Sequence, residues 1–184
     1  METIKAIATR KSTRAYKPDQ LSKDTLNKIL VAGCAAPVAA GLYDTMHLTA
    51  IQSEKMLNQL TNIMVASLPV EAKEMMEKMT GRVDPLYGAP TVVIISSKEP
   101  TAPGADYVNA GCIAENMMLA AADAGVDSVV LWATGGTAQS NTELKNALSI
   151  PNNYTALFGV GFGYATIEDS KHKDLAITID VSYV

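Results

Sequence analysis

The sequence predicts one α/β-type domain of interleaved helices and strands spanning residues 1–184. Three observations carry that expectation. TVVIISS (91–97) and SVVLWA (128–133) are short, β-branched apolar runs of the kind that form buried strands. ADYVNAGCIAENMMLAAADAG (105–125) is a helical stretch of about 20 residues, apolar almost all round, as a central or dimer-interface helix would be. Of the 184 residues 48% are hydrophobic and 18% charged, which suits a packed core and argues against disorder.

In chain order, residues 2–9 suggest an amphipathic helix with Ile4, Ile7 and Ala8 on one face. RKSTRAYKPDQ breaks it, with Pro18 and Asp19 as turn signals. Ser22 is placed to cap a helix running to about residue 34, with Leu26, Ile29, Leu30 and Gly33 at helical spacing, and Pro37 ends that element. MHLTAIQ alternates like a strand, and Ser53 can cap the next helix. Two Met-rich helices are expected at 54–66 and 70–79, their methionines packing in a core or interface. After the turn DPLYGAP, TVVIISS reads as a strand buried on both faces, and KEPTAPG as a loop. The long helix ends at Gly125, a C-cap candidate. SVVLWA is read as another buried strand, followed by TGGTA and a short helix at 141–149 that Pro151 terminates. TALFGVGFGYA is a glycine-punctuated strand and AITIDVSYV the last one.

Composition narrows the function classes. A net charge of −4 disfavours a nucleic-acid surface, and no apolar run approaches the roughly 18 residues of a membrane span. METIKAIATRKS lacks a secretory signal's apolar segment, so a cytoplasmic protein is expected. Cys34 and Cys112 lie in apolar helical surroundings and read as buried free thiols; His47 and His172 share no motif, so no metal site is expected. GVGFGYA is not a dinucleotide-binding turn, because it opens no helix; its glycines are expected to let a backbone or ring come close. P-loop, GxSxG and HExxH patterns are absent.

RKSTRAY (10–16) places Arg10, Lys11, Arg14 and Ser12 within five positions. Such a cluster is either a solvated basic turn or an anion site. Guanidinium, ammonium and hydroxyl groups can together surround a phosphate with charge-assisted hydrogen bonds.

The segments around it form an ordered set: Arg10–Arg14, Ala35–Pro37, Tyr87–Pro90, Glu115–Gly125, Ser128–Gly136, Ile150–Pro151 and Gly161–Tyr164. In that order they resemble the nitroreductase family of flavin mononucleotide (FMN) enzymes over nearly the whole chain, this one being a compact member with a short middle segment. The resemblance implies an α+β fold, a mixed central sheet flanked by helices, in an intertwined homodimer with two FMN sites at the subunit interface. It assigns Arg10 and Ser12 to the FMN phosphate, Lys11 to the same end of the site and Arg14 to the pyrimidine edge of the flavin. A fixed cation at that edge stabilises the negative charge that reduction places there. Thr134, Gly135 and Gly136 match a backbone turn beside the flavin's reactive nitrogen. Lys171 and Lys173 are phosphate candidates, with a solvated charge run as their alternative. Pro37, Val38, Ala39 and Gly41 match the segment lent to the partner's flavin. There the chain departs from the family: Val38 and Ala39 replace serine, Gly41 replaces asparagine and Tyr43 replaces glutamine. Polar side-chain contacts are lost, leaving backbone atoms of 38–41 to line the pocket and Tyr43 to wall it or pack.

The function so implied is an FMN-dependent oxidoreductase. It passes electrons from NAD(P)H to an electron-poor acceptor, a nitroaromatic or quinone, by a ping-pong mechanism. Since the cofactor carries the chemistry, no catalytic residue is assigned. Two alternatives stand beside it: a flavin-binding carrier or redox-responsive protein without turnover, and a helix-rich dimer whose basic turn is merely solvated.

Overall fold

The computed structural model describes residues 2–98, 104–167 and 172–184. Seven helices and four strands alternate as α1 (Thr3–Thr9), α2 (Lys23–Cys34), β1 (Met46–Ile51), α3 (Glu54–Ser67), α4 (Val70–Thr80), β2 (Thr91–Ser97), α5 (Ala105–Asp123), β3 (Asp127–Leu131), α6 (Ala133–Ser140), α7 (Thr142–Ala147) and β4 (Thr155–Gly163). Local chemistry sets several of these limits. Ser22, Ser53 and Asn141 cap α2, α3 and α7 by accepting the amides of Thr25, Met56 and Leu144. Gly125 follows the end of α5 with φ 72°, the left-handed conformation that glycine tolerates best.

The strands are ordered β1-β2-β4-β3 and every ladder is antiparallel. One parallel pairing, the isolated bridge between Ser12 and Ser128, adds the N-terminal segment beside β3. Helices cover both faces, which gives the expected α+β architecture, and β2 is buried along its whole length. Its alternation divides the core. Val93 and Ile95 pack with Leu26 and Ile29 of α2 and Ile113, Met117 and Ala121 of α5. Val92 and Ile94 pack with Leu57, Leu60 and Met64 of α3, Ala138 of α6 and Leu144 of α7.

The same alternation explains GVGFG. Val160 and Phe162 of β4 enter the α2–α5 half of the core, while the residues between them are glycines. A methyl group on Gly159 would lie 2.7 Å from Thr134 Oγ1; on Gly161, 2.9 Å from Ala89 Cβ; on Gly163, 2.8 Å from the Tyr16 ring. Removing these side chains lets α6, the 86–90 turn and residue 16 come down onto the sheet. Gly135 is α6's own counterpart in this contact, and a methyl group on it would sit 2.0 Å from Leu157 O. Between α2 and α5, Gly33 gives room to Met117 in the same way.

Three expectations are corrected and one is narrowed. AITIDVSYV forms no strand: 176–184 pairs with nothing described, and Ile177, Ile179 and Tyr183 are exposed. β3 is only partly buried, since it ends the order of named strands and leaves Val130 exposed, and Trp132 has already left the strand for α6. Of the two places expected for the methionines, the core holds Met64 of α3 but not those of α4, which buries no residue within the single chain and leaves Met75 and Met79 exposed. Both cysteines are free, but Cys34 is exposed and Cys112 only half-buried. No helix among the described residues is long and apolar enough to cross a membrane.

The contact at Gly135 yields a paired prediction. Gly135→Ala should lower stability by at least ~2 kcal/mol, because the clash is with backbone that cannot swing away. Its neighbour Gly136 has nothing within 4 Å of a built methyl group, so Gly136→Ala should be neutral or stabilising by roughly 0.5–1 kcal/mol through helix propensity. Urea unfolding of the two variants measures both.

Candidate functional site

RKSTRAY is stitched to the sheet rather than solvated as a loop. Thr13 N–H donates to Ser128 O (3.0 Å), Lys17 N–H to Tyr164 O (2.7 Å) and Thr166 N–H to Ala15 O (3.1 Å). Tyr16 bridges Ala165 in antiparallel fashion. Just beyond, Gln20 donates to Gln52 O and Pro90 O and accepts from Thr91 Oγ1, which clamps the chain across the start of β2. Thr13 and Tyr16 are buried, while Ser12 and Arg14 stay exposed, with Arg14 Nη1 3.5 Å from Ser12 O.

The cations of the cluster separate. Arg10 Nε lies 3.2 Å from Glu115 Oε1 on α5, within ion-pair range though not aligned as a hydrogen bond. Lys173 comes to the same place from the other end of the chain. Its backbone N–H donates to Ala8 O at 3.0 Å, and the neighbouring His172 ring lies 3.2 Å from Thr9 Oγ1. The Lys173 ammonium is held below the usual lysine range, by partial burial first and by the Arg10 guanidinium second, with Glu115 opposing. Lys11 turns elsewhere, its Nζ 4.0 Å from Asp127 Oδ1. Lys171 lies outside the described residues.

The 37–45 segment after α2 is held by backbone contacts. Val38 is buried, Ala39 N–H donates to Asn109 Oδ1 (2.9 Å), and Tyr154 Oη donates to Asp44 O (2.6 Å). Ala40 and Gly41 have φ of 55° and 67°, so the loop turns sharply where small residues stand, and Tyr43 beyond Pro37 and this turn is exposed. Thr134, Gly135 and Gly136 are not an irregular turn. They open α6, with Thr134 buried and donating to Leu131 O (2.7 Å), Gly135 packed on β4 and Gly136 exposed. No side chain caps this helix start, so its first amides keep donors for another acceptor.

Several residues near these segments carried no signal in the sequence. Glu115, Asp127 and Asn109 engage partners 70 or more positions away, and no local periodicity reports such a pairing. An aromatic ladder likewise runs outward from the core, Phe158 to Trp132 to Tyr107, with ring centroids 5.9 and 5.8 Å apart; an exposed tryptophan next to TGG was its one sequence sign.

With this geometry in place, comparison with known proteins is specific. The family model described as the nitroreductase family matches residues 7–164. A curated relative from Archaeoglobus fulgidus, a putative NADH dehydrogenase/NAD(P)H nitroreductase, is 30% identical over 165 residues, which cover 89% of this chain and 85% of the relative. A nitroreductase with bound FMN from Bacteroides fragilis superposes with a TM-score of 0.81 at 28% identity, each chain covered in full. One from Desulfitobacterium hafniense, also with bound FMN, gives 0.85 at 22% identity with the same coverage. An FMN-dependent nitroreductase from Mycobacterium smegmatis in complex with NADPH gives 0.68 at 18%, covering 89% of this chain and 87% of its own.

Tyr16 gives the site a pH signature. Its buried hydroxyl has no hydrogen-bond partner among the described residues. Burial first, and the Asp127 charge second, push its pKa far above the ordinary tyrosine value of 10.0, with Arg14 opposing. The folded protein therefore keeps this proton where the unfolded chain gives it up. The stability this supplies is present below about pH 10 and is lost as pH rises above it, at up to about 1.4 kcal/mol per pH unit. Tyr16→Phe should stay within about 1 kcal/mol of the wild type at neutral pH and show a shallower loss of Tm between about pH 9.5 and 11.5.

Proposed function

The chain belongs to the nitroreductase family, and on that premise we propose that it is an FMN-dependent oxidoreductase, a single domain over residues 1–184. It moves electrons from NAD(P)H to an electron-poor acceptor, a nitroaromatic or a quinone. The two substrates take turns at one site in a ping-pong cycle. The observation that carries this reading is the meeting of two distant segments at the end of α1: Lys173 N–H donates to Ala8 O, which brings the 172–173 segment to the helix end that Arg10 follows, and the Arg10 guanidinium helps to hold the Lys173 ammonium below its usual range. Two such cations repel, an anion between them offsets that repulsion, and Glu115 lies 3.2 Å from Arg10 and also acts on Lys173.

A flavin phosphate suits that requirement. Arg10 and Lys173 would neutralise it, and the exposed Ser12 hydroxyl would donate to it. Arg14, exposed beside Ser12, would hold positive charge at the pyrimidine edge. The uncapped first turn of α6, at Thr134–Gly136, would supply amide donors, while the small residues of 38–41 would approach through backbone atoms. When bound, FMN supplies the hydride acceptance and donation that no side chain of this protein can perform.

We further propose a homodimer. Leu175, Ile177, Ile179, Val181 and Tyr183 put apolar side chains at alternate positions, and each is more than half exposed. A segment with that alternation is built to complete a sheet, and within the described chain it joins none. A second copy can supply the partner, with exposed Tyr107 and Val108 of α5 in the same interface. The two free thiols suit a reducing, cytoplasmic compartment.

Purified protein should be yellow and release FMN on denaturation. Arg10→Ala should weaken FMN binding by about 10- to 100-fold, and protein that cannot be loaded with FMN would overturn the reading. Anaerobic NADH or NADPH should bleach the bound flavin; a yellow protein that neither one bleaches is a carrier, not a reductase. Light scattering should report a dimer at micromolar concentration, and deletion of residues 175–184 should shift it towards monomer.

A further inference from the structure

The residues assigned above to the flavin alternate with residues that face the other way. Ser12 and Arg14 are exposed, while Thr13 between them is 8% exposed and donates its hydroxyl hydrogen to Asp127 Oδ1 at 3.1 Å. Lys11 Nζ approaches the same oxygen at 4.0 Å. The other oxygen, Oδ2, accepts the Ala165 amide at 3.1 Å. Asp127 opens β3 opposite Gly163 of β4, and its neighbour Ser128 makes the bridge to Ser12 and accepts Thr13 N–H. One carboxylate thus ties the RKSTRAY segment to the chain leaving β4, the two stretches that the Tyr16–Ala165 bridge also joins.

We propose that Asp127 is a positioning residue for the cofactor: it fixes the rotation of the 10–14 segment about its own axis, so that Ser12 and Arg14 face the flavin while Thr13 and Lys11 are turned away. This rests on the FMN reading above. Within 10–14 the backbone is tied to the sheet at Thr13, whose N–H donates to Ser128 O, and the next ties lie at Ala15 and Lys17. The Thr13 hydroxyl bond to Asp127 adds a second, side-chain hold on the inward face at that residue, and the bond to Ala165 anchors the carboxylate itself.

Charge alone argues the opposite. A carboxylate close to a phosphate site repels the phosphate, so deleting it should tighten FMN binding if its charge were its only effect. Positioning predicts weaker binding, and predicts it for the phosphate-bearing flavin in particular. The sign of the change therefore separates the two.

The test titrates the full-length chain with FMN and with riboflavin, which lacks the phosphate, following flavin fluorescence. Asp127→Ala should lower the ratio of FMN to riboflavin affinity by about tenfold, as expected when a supporting hydrogen-bond partner is removed. Asp127→Asn keeps one acceptor oxygen and should lose less. Thr13→Val removes the hydroxyl while leaving the carboxylate in place, and should change the ratio in the same direction by several-fold. It keeps the test decisive if Asp127→Ala does not fold, because general loss of structure weakens both flavins alike. If the wild type prefers FMN and the variants keep or raise its ratio, Asp127 does not position the segment and the FMN reading stands. If the wild type binds no FMN, that reading falls, and this inference with it.

Discussion

The absence of side chains along one face of β4 is the constraint on which the rest of the molecule depends. Gly159, Gly161 and Gly163 allow Thr134, Ala89 and Tyr16 to rest on the central strand, and Gly135 brings the start of α6 onto the Leu157 carbonyl. Had β4 carried ordinary side chains on both faces, α6 and the 12–16 segment would each stand off by the depth of a side chain, and the two could not be set on one rigid strand. The opposite face bears Val160 and Phe162 and anchors the strand in the α2–α5 core. Large groups on one side and none on the other make β4 a structural keel on which α6 and the 12–16 segment both rest.

Much of this was legible because it is local. Ser22, Ser53 and Asn141 cap the helices that follow them, since a cap is decided by a hydroxyl or amide within three residues of the amide it satisfies. The β-branched run 91–97 is buried on both faces as its composition required. Alternation alone misled at 176–184, because a strand exists only if something pairs with it. Apolar content alone does not place a helix in the core: α4 buries no residue and leaves Met75 and Met79 exposed. The cations of RKSTRAY were visible, but what sorts them was not. Glu115 takes Arg10 and Asp127 takes Lys11 across more than a hundred positions of chain. The same limit applies to TGG: the motif is visible in the sequence, but that it begins a helix follows from how Gly135 seats on β4.

The electrostatic design is economical for a chain of net charge −4. Positive charge is concentrated at one end of α1, and each nearby carboxylate has a restricted task. Glu115 tempers the repulsion between Arg10 and Lys173, while Asp127 engages Thr13 and Lys11 on the other side of the segment. The result is a local group of cations at the end of α1 on a protein whose net charge is negative and would repel polyanions.

The hydrogen bond from Lys173 to Ala8 has a consequence for the order in which the molecule is made. It joins the first helix to a segment far along the chain, and both α5, whose Glu115 faces Arg10, and the four-stranded sheet are complete once residue 163 has been synthesised. During synthesis Arg10 can therefore meet Glu115 while Lys173 is still missing. Closing so long a loop is among the latest and slowest contacts a chain of this kind forms. A chain interrupted before residue 173 can therefore fold its sheet and hold Arg10 without Lys173 beside it.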